Sequence, residues 1–324
     1  MTTTQIIYYL LPLVIASMVP LSLVALGALF SERSGVVNIA LEGIMIFGGF
    51  VGIMVIGYLE TTGLADISYQ LIALIGILVG AIVGLLFSLL HAFASINMKA
   101  NQIISATALN LIAPAVAIFI ARTIYGVQQV SISGTYKIPA VPFLSEIPVI
   151  GDIFFKSAYL STYVGILIFI IATFILYKTK QGLRLRSCGE NPQAADSLGI
   201  NVYRVRYAGV MVSGALAGMG GVIFVLSFAN EFNVSVAGFG FLALAVLIFG
   251  NWKPGRILLA ALFFASMRVI ASSFYVVPFL RNLGLSDNFY LMVPYIATLI
   301  VLAFVSKNSA APKAEGEPYD AGKR

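Results

Sequence analysis

The sequence predicts an all-α polytopic membrane bundle of about nine spans, within one, from which a short capped helix projects. Three observations predict it. First, 60% of the 324 residues are hydrophobic and only 10% are charged, with a mean hydropathy of +1.00, which is membrane rather than soluble composition. Second, apolar runs long enough to cross a bilayer recur along the chain. Third, a polar island from Gly182 to Val202 separates two of these runs. Six of the 19 basic residues lie in or beside it: Lys178, Lys180, Arg184, Arg186, Arg204 and Arg206.

The expected spans are 6–30, 36–57, 71–95, 102–121, 159–177, 207–229, 239–250, 256–272 and 290–306. The Met1–Gln5 stretch has no Lys or Arg, which fits an uncleaved first span better than a signal peptide. The run Gly250-Asn-Trp-Lys-Pro-Gly-Arg256 reads as a tight turn between two short segments. The loop 122–158 contains Pro139, Pro142 and Pro148 among apolar residues and predicts a folded cap with a short surface helix. The segment 307–324, rich in Lys, Glu, Pro and Gly, reads as a disordered tail after a transmembrane domain of 1–306.

Charge sets the expected orientation. With 178–206 in the cytoplasm and alternation outward from it, most basic residues fall inside. Only Arg122, Lys137, Lys156 and Arg281 fall outside, and Arg268 lies within a span. The N-terminus is then external and the C-terminus cytoplasmic in a bacterial cell membrane. The net charge of +6 does not point to nucleic acid, because the basic residues sit in loops. A single Cys, Cys188, rules out an intrachain disulfide, and a single His, His91, rules out a His-rich metal site. His91 reads as a satisfied interface residue and Cys188 as a reduced loop residue.

Polar residues inside the spans mark an inward face. On a helix over 36–57, Gly35, Asn38, Glu42, Met45, Gly49 and Gly52 share one side. On 102–121, Gln102, Ser105, Ala106, Asn110 and Ala113 do the same. Such groups face protein or water, since a carboxylate at the bilayer centre costs about 3 kcal/mol or more. Neutral amides suit an uncharged polar solute with hydroxyls and ring nitrogens. Asn38 and Asn110 fit a structural clamp between helices as well as a solute contact, and Glu42 fits helix packing at least as well as solute binding. The glycine-rich run 213–221 reads as close helix packing rather than a dinucleotide loop.

The polar island carries helix boundaries. Asn191 can N-cap, Pro192 suits the first helical position, and Gly199 can take the left-handed turn that ends the helix. Ala194, Ala195 and Leu198 form an apolar edge beside Gln193 and Asp196. No Gly-x-x-x-x-Gly-Lys-[Ser/Thr] occurs in the chain, so any ATPase that powers it is another polypeptide.

Three motifs carry a family resemblance: Glu32-Arg-Ser-Gly-Val-Val-Asn-Ile-Ala-Leu-Glu-Gly43, Asn101-Gln-Ile-Ile-Ser-Ala-Thr-Ala-Leu-Asn110 and Gly189-Glu-Asn-Pro-Gln-Ala-Ala-Asp-Ser-Leu-Gly199. Over about residues 20–305 the chain resembles the permease subunits of bacterial ABC importers. The likeness is to the sugar and nucleoside branch of the branched-chain amino acid/ribose-type permeases, which works with a basic membrane lipoprotein. Ala106 departs from the pattern, where Gly is expected. The resemblance implies uptake of nucleosides or a simple sugar by a chain that is not itself an enzyme. It implies a paralogous second permease, an extracellular solute-binding lipoprotein, and an ATPase with two nucleotide-binding halves that holds ATP and Mg, with no cofactor on this chain. It also implies that the 178–206 loop couples to that ATPase through Glu190, Asn191, Pro192, Ala194, Ala195, Leu198 and Gly199. Asn38, Glu42, Gln102, Ser105 and Asn110 are the candidate solute path. The alternatives are an ion-coupled secondary transporter of a small polar solute, for which Glu42 is the one mid-span carboxylate, and a passive channel.

Overall fold

A computed structural model describes residues 3–134, 136–228, 231–286, 289–290, 292–293, 296–297, 299, 310–320 and 322. The elements run α1 (Thr3–Arg33), α2 (Leu41–Glu60), α3 (Leu64–Ile67), α4 (Tyr69–Ala92), α5 (Gln102–Tyr125), α6 (Leu160–Lys178), α7 (Lys180–Glu190), α8 (Pro192–Ser197), α9 (Val202–Phe228), α10 (Phe239–Phe249), α11 (Pro254–Ser272) and α12 (Pro278–Arg281). Among the described residues, seven helices are long and apolar enough to cross a membrane, and α10 is a shorter apolar helix. The expected ninth span, 290–306, falls largely outside the described residues.

Helix α1 packs against α6, α9, α10 and α11 and is enclosed over its second half. Its side chains from Val19 to Glu32 are all buried, whereas those of a lipid-facing helix would be buried on one side only. Helices α2, α4 and α9 meet beside it along a seam of small residues. A Cβ on Gly48 would lie 2.5 Å from the Gly218 Cα, and one on Gly84 would lie 2.2 Å from the Gly214 carbonyl. The 213–221 run therefore lets backbones touch, as close helix packing requires. Outer helices present apolar faces. On α5, Ile104, Leu111 and Phe119 are 69%, 70% and 71% exposed. Water does not tolerate so large an apolar stripe, but a bilayer matches it.

Three features differ from the sequence-based expectation. The second span is not helical over 36–40. Helix α1 ends at Arg33, Gly35 turns with φ +95°, and α2 begins only at Leu41. The physical cause is local: the Asn38 Oδ1 accepts the Ala40 N–H at 3.1 Å, an alternative to the helical ladder. Asn38 thus precedes the helix on whose face it was expected. The loop 122–158 is folded, with short helical turns at Leu144–Glu146 and Gly151–Phe155 as expected, but also with strands that were not. Strand β1 (Val130–Ser131) pairs with β4 (Glu231–Phe232), and β2 (Lys137–Ala140) pairs with β3 (Lys156–Tyr159), all antiparallel. The Glu60 carboxylate, at the end of α2, accepts the N–H groups of Ser133 and Gly134 and the hydroxyls of Ser133 and Tyr136.

The third difference is the tail. The sequence predicts disorder over 307–324; residues 307–309, 321, 323 and 324 lie outside the described residues, but residues 310–320 pack against the basic end of the bundle. The Ala314 N–H donates to the Gly189 carbonyl at 2.9 Å and the Gly316 N–H to the Gly35 carbonyl at 3.2 Å. The Tyr319 ring is buried against Tyr203. A polar, charged composition suggested solvation, but these contacts are mostly backbone hydrogen bonds, which composition does not report.

Candidate functional site

The non-helical stretch 36–40 is buried among helices, where water cannot satisfy its backbone, so side chains must do so. The Val37 N–H donates to the Gln102 Oε1 at 2.7 Å. The Val37 carbonyl lies 2.9 Å from the His91 Nε2. A carbonyl only accepts, so Nε2 carries the proton, and in the uncharged ring Nδ1 accepts from the Ser105 hydroxyl at 3.1 Å. The Asn110 side chain spans the end of the break, donating to the Ile39 carbonyl at 2.9 Å and accepting the Gly43 N–H at 2.8 Å. The Asn38 Nδ2 donates to the Ser213 Oγ at 2.9 Å and ties the break to α9.

Glu42 joins this cluster to a second interruption. Its Oε1 accepts the Gly238 N–H at 2.9 Å and its Oε2 accepts the Gly240 N–H at 2.7 Å. These are donors of the first turn of α10, where the helix leaves N–H groups unpaired and favours negative charge. The approach is tight: a Cβ on Gly240 would lie 2.4 Å from the Glu42 Cα. Helix α10 has 11 residues, so its N-terminus stands about 16 Å from the 250–253 turn, within the bundle and not at its end. Arg268 of α11 lies over the Phe239 ring at 4.5 Å.

The five residues expected on a solute path therefore converge on one junction. Asn38, Glu42 and Gln102 are buried, and Asn110 and Ser105 are partly so. The structure adds His91, Ser213 and the Gly238–Gly240 N–H groups, which sequence reasoning did not place there. His91 is legible in the sequence as a satisfied group, but its two partners, the Val37 carbonyl and the Ser105 hydroxyl, are not. Gln102 Nε2 has no partner among the described residues.

At the basic end, the expected capped helix is present as α8. The Asn191 Oδ1 accepts the Ala194 N–H at 2.9 Å, Pro192 is in the first turn, and Gly199 has φ +79°. A further helix, α7, precedes it and is capped by Thr179, which accepts the Gly182 N–H at 3.2 Å. Cys188 belongs to α7 and not to a loop; it is fully buried, and burial pushes its thiol up to about 11.

The apolar edge of α8 divides. Ala195 is buried with Cys188, Val202 and Tyr319, whereas Leu198 is 81% exposed. The two do not present one surface, because Leu198 lies at the C-cap, where the helix ends. Pro192 is also buried. The outward groups are Glu190, Asn191, Gln193, Ala194, Ser197, Leu198 and Gly199. Glu190 pairs with Arg33 at 3.2 Å, and Arg33 also donates to the Trp252 carbonyl at 3.1 Å. The Trp252 Nε1 donates to the buried Glu32 carboxylate at 2.5 Å. The end of α1 thus touches both the α7–α8 corner and the turn that follows α10.

Comparison with known proteins places these features in a family context. A family model described as the branched-chain amino acid transport system / permease component matches residues 11–302. The nucleoside ABC transporter permease protein NupC of Lactococcus lactis is 43% identical, over 95% of this chain and 97% of its own. The guanosine ABC transporter permease protein NupQ of Bacillus subtilis is 42% identical, over the full length of both chains. A putative glucose ABC transporter permease protein, TsgC13 of Haloferax volcanii, is 30% identical over 93% of this chain and 94% of its own.

Proposed function

The chain belongs to the permease-component family of branched-chain amino acid transport systems, and from that premise we propose that it is the membrane permease subunit of an ATP-binding cassette importer for nucleosides. The observation that carries the solute class is the identity of 43% and 42%, over essentially whole chains, to permeases named for nucleosides and guanosine. The glucose-permease likeness is lower, at 30%. The chain is a transport component, and ATP hydrolysis belongs to a separate ATPase.

The solute path runs past the junction of the two interruptions, bordered by Asn38, Glu42, Gln102, Ser105 and Asn110. Supporting this, the junction is rich in neutral amides, whose donors and acceptors match ribose hydroxyls and base nitrogens. Interrupted helices at membrane depth are also where transporters of several folds hold their solutes. The same side chains that satisfy the broken backbone can exchange partners when the break moves.

The α7–α8 corner faces the cytoplasm and docks on the ATPase through the exposed face that includes Leu198. Force reaches the junction through Glu190, Arg33 and Trp252 and along α10, whose N-terminus Glu42 holds. A paralogous second permease and an extracellular solute-binding lipoprotein complete the assembly, and the 130–159 segment faces the lipoprotein. Reconstitution of the chain with these partners in proteoliposomes tests the reading: ATP should drive accumulation of labelled guanosine, and excess unlabelled nucleoside, but not glucose, should compete.

A further inference from the structure

The order of the C-terminal segment calls for a role, because nothing in its composition demands that it fold. Residues 310–320 touch every element of the basic end that the transport reading uses. The Ala310 N–H donates to the Asn251 Oδ1 at 2.7 Å, on the turn after α10. Ala314 and Gly316 donate to the carbonyls of Gly189 and Gly35. These two acceptors are neighbours: a Cβ on Gly189 would lie 2.3 Å from the Arg33 carbonyl and 3.3 Å from the Gly35 nitrogen. The segment thus stitches the end of α7 to the turn that opens the broken stretch.

Three further contacts fix its far half. Arg206 of α9 is 1% exposed and its Nη1 donates to the Glu317 carbonyl at 2.8 Å. The same guanidinium packs on Gly35, where a Cβ would lie 2.7 Å from Nη2. Tyr319 fills a small core with Cys188, Ala195 and Val202, which is the inner side of α8. Asp320 pairs with Lys99 at 3.1 Å, beyond the end of α4.

We infer that residues 310–320 act as a strap that makes α8 and the 35–40 break move as one unit, so that displacement of the coupling corner is delivered to the solute junction. The inference rests on the importer reading above and adds a second link between its two sites, beside the one through Glu190, Arg33 and Trp252. Gly35, with φ +95°, and Gly316, with φ +78°, are the paired points where the strap meets the break. Without the strap, α8 would still reach the bundle through α9 and Gly189 would still abut the Gly35 turn, but the backbone hydrogen bonds that join the two through residues 314–316 would be lost. The strap residues are positioning residues: none lies at the solute junction.

The test compares the strap with its assembly role in the complete complex of permeases, ATPase and lipoprotein, reconstituted in proteoliposomes. Gly316→Val places a β-branched residue at a left-handed position and should detach the strap. Gly316→Asn tolerates that conformation and keeps the N–H, so it is the rescuing variant. Tyr319→Ala empties the core beneath α8. The expected result is that Gly316→Val and Tyr319→Ala keep the ATPase bound at wild-type stoichiometry and still hydrolyse ATP. Guanosine moved per ATP should fall about fivefold or more, the scale of a coupling free energy, and Gly316→Asn should restore it. An unchanged ratio in both variants would overturn the strap while leaving the importer reading intact. So would a loss of uptake that only tracks lost ATPase binding. A wild-type complex that moves no guanosine would overturn the importer reading and the strap with it.

Discussion

The Glu42 carboxylate accepts the Gly240 backbone N–H at 2.7 Å and so holds α2 to the first turn of α10. One oxygen serves Gly240 and the other Gly238. Glu42→Gln would replace one acceptor by an amide NH₂ facing a backbone donor, leaving a buried N–H unpaired at a cost of about 1–3 kcal/mol. Uptake should fall about tenfold or more while the ATPase still co-purifies. Wild-type guanosine uptake by Glu42→Gln would remove Glu42 from the working junction.

Asn110 serves as a clamp in this conformation, and clamp and solute contact make different predictions. Asn110→Leu leaves the Gly43 N–H and the Ile39 carbonyl without their partner, costing about 1–3 kcal/mol for each. The purified variant should therefore melt several degrees lower than wild type. An unchanged melting temperature together with lost uptake would contradict the clamp and assign Asn110 to the solute alone.

Leu198 and Ala195 should separate docking from folding. Leu198 is exposed, so Leu198→Glu should fold normally but pay desolvation of a carboxylate at the ATPase surface, several kcal/mol in scale. Pull-down of the ATPase should drop at least about tenfold. Ala195 lies on the inner face of α8, so Ala195→Glu buries a charge inside the chain and should lower the melting temperature of the isolated permease. Equal ATPase binding by Leu198→Glu and wild type would show that the exposed face of α8 is not the docking surface.

The orientation is testable by labelling whole cells with an impermeant maleimide. Burial holds the Cys188 thiol at about 11, so the wild-type chain should not label at neutral pH until it is unfolded. Ser197→Cys, on the exposed side of α8, should label only after permeabilisation, and Glu146→Cys should label in intact cells. The reverse pattern would invert the topology.

What the sequence revealed and what it hid follow from the range of the interactions involved. The start and end of α8 were legible because Asn191, Pro192 and Gly199 act on their immediate neighbours. The inward residues 38, 42, 102, 105 and 110 were legible because charge and amides cannot face lipid cheaply. The break at 36–40 was not, since apolar periodicity reads the same whether the backbone is helical or is satisfied by Gln102, His91 and Asn110 from other helices. The inward turn of Ala195 depends on Tyr319, more than a hundred residues away. The strap was hidden for the same reason: its acceptors at Gly35 and Gly189 are backbone carbonyls, invisible in composition.

The measurement that bears most directly on the account is ATP-driven uptake by the purified complex in proteoliposomes. With wild-type chain, ATPase and lipoprotein present, labelled guanosine should accumulate against its gradient. Accumulation should need ATP inside the vesicle-equivalent of the cytoplasm and should stop when the ATPase subunit is omitted. Accumulation that persists without ATPase and collapses with an ion gradient would contradict the account and make the chain an ion-coupled transporter.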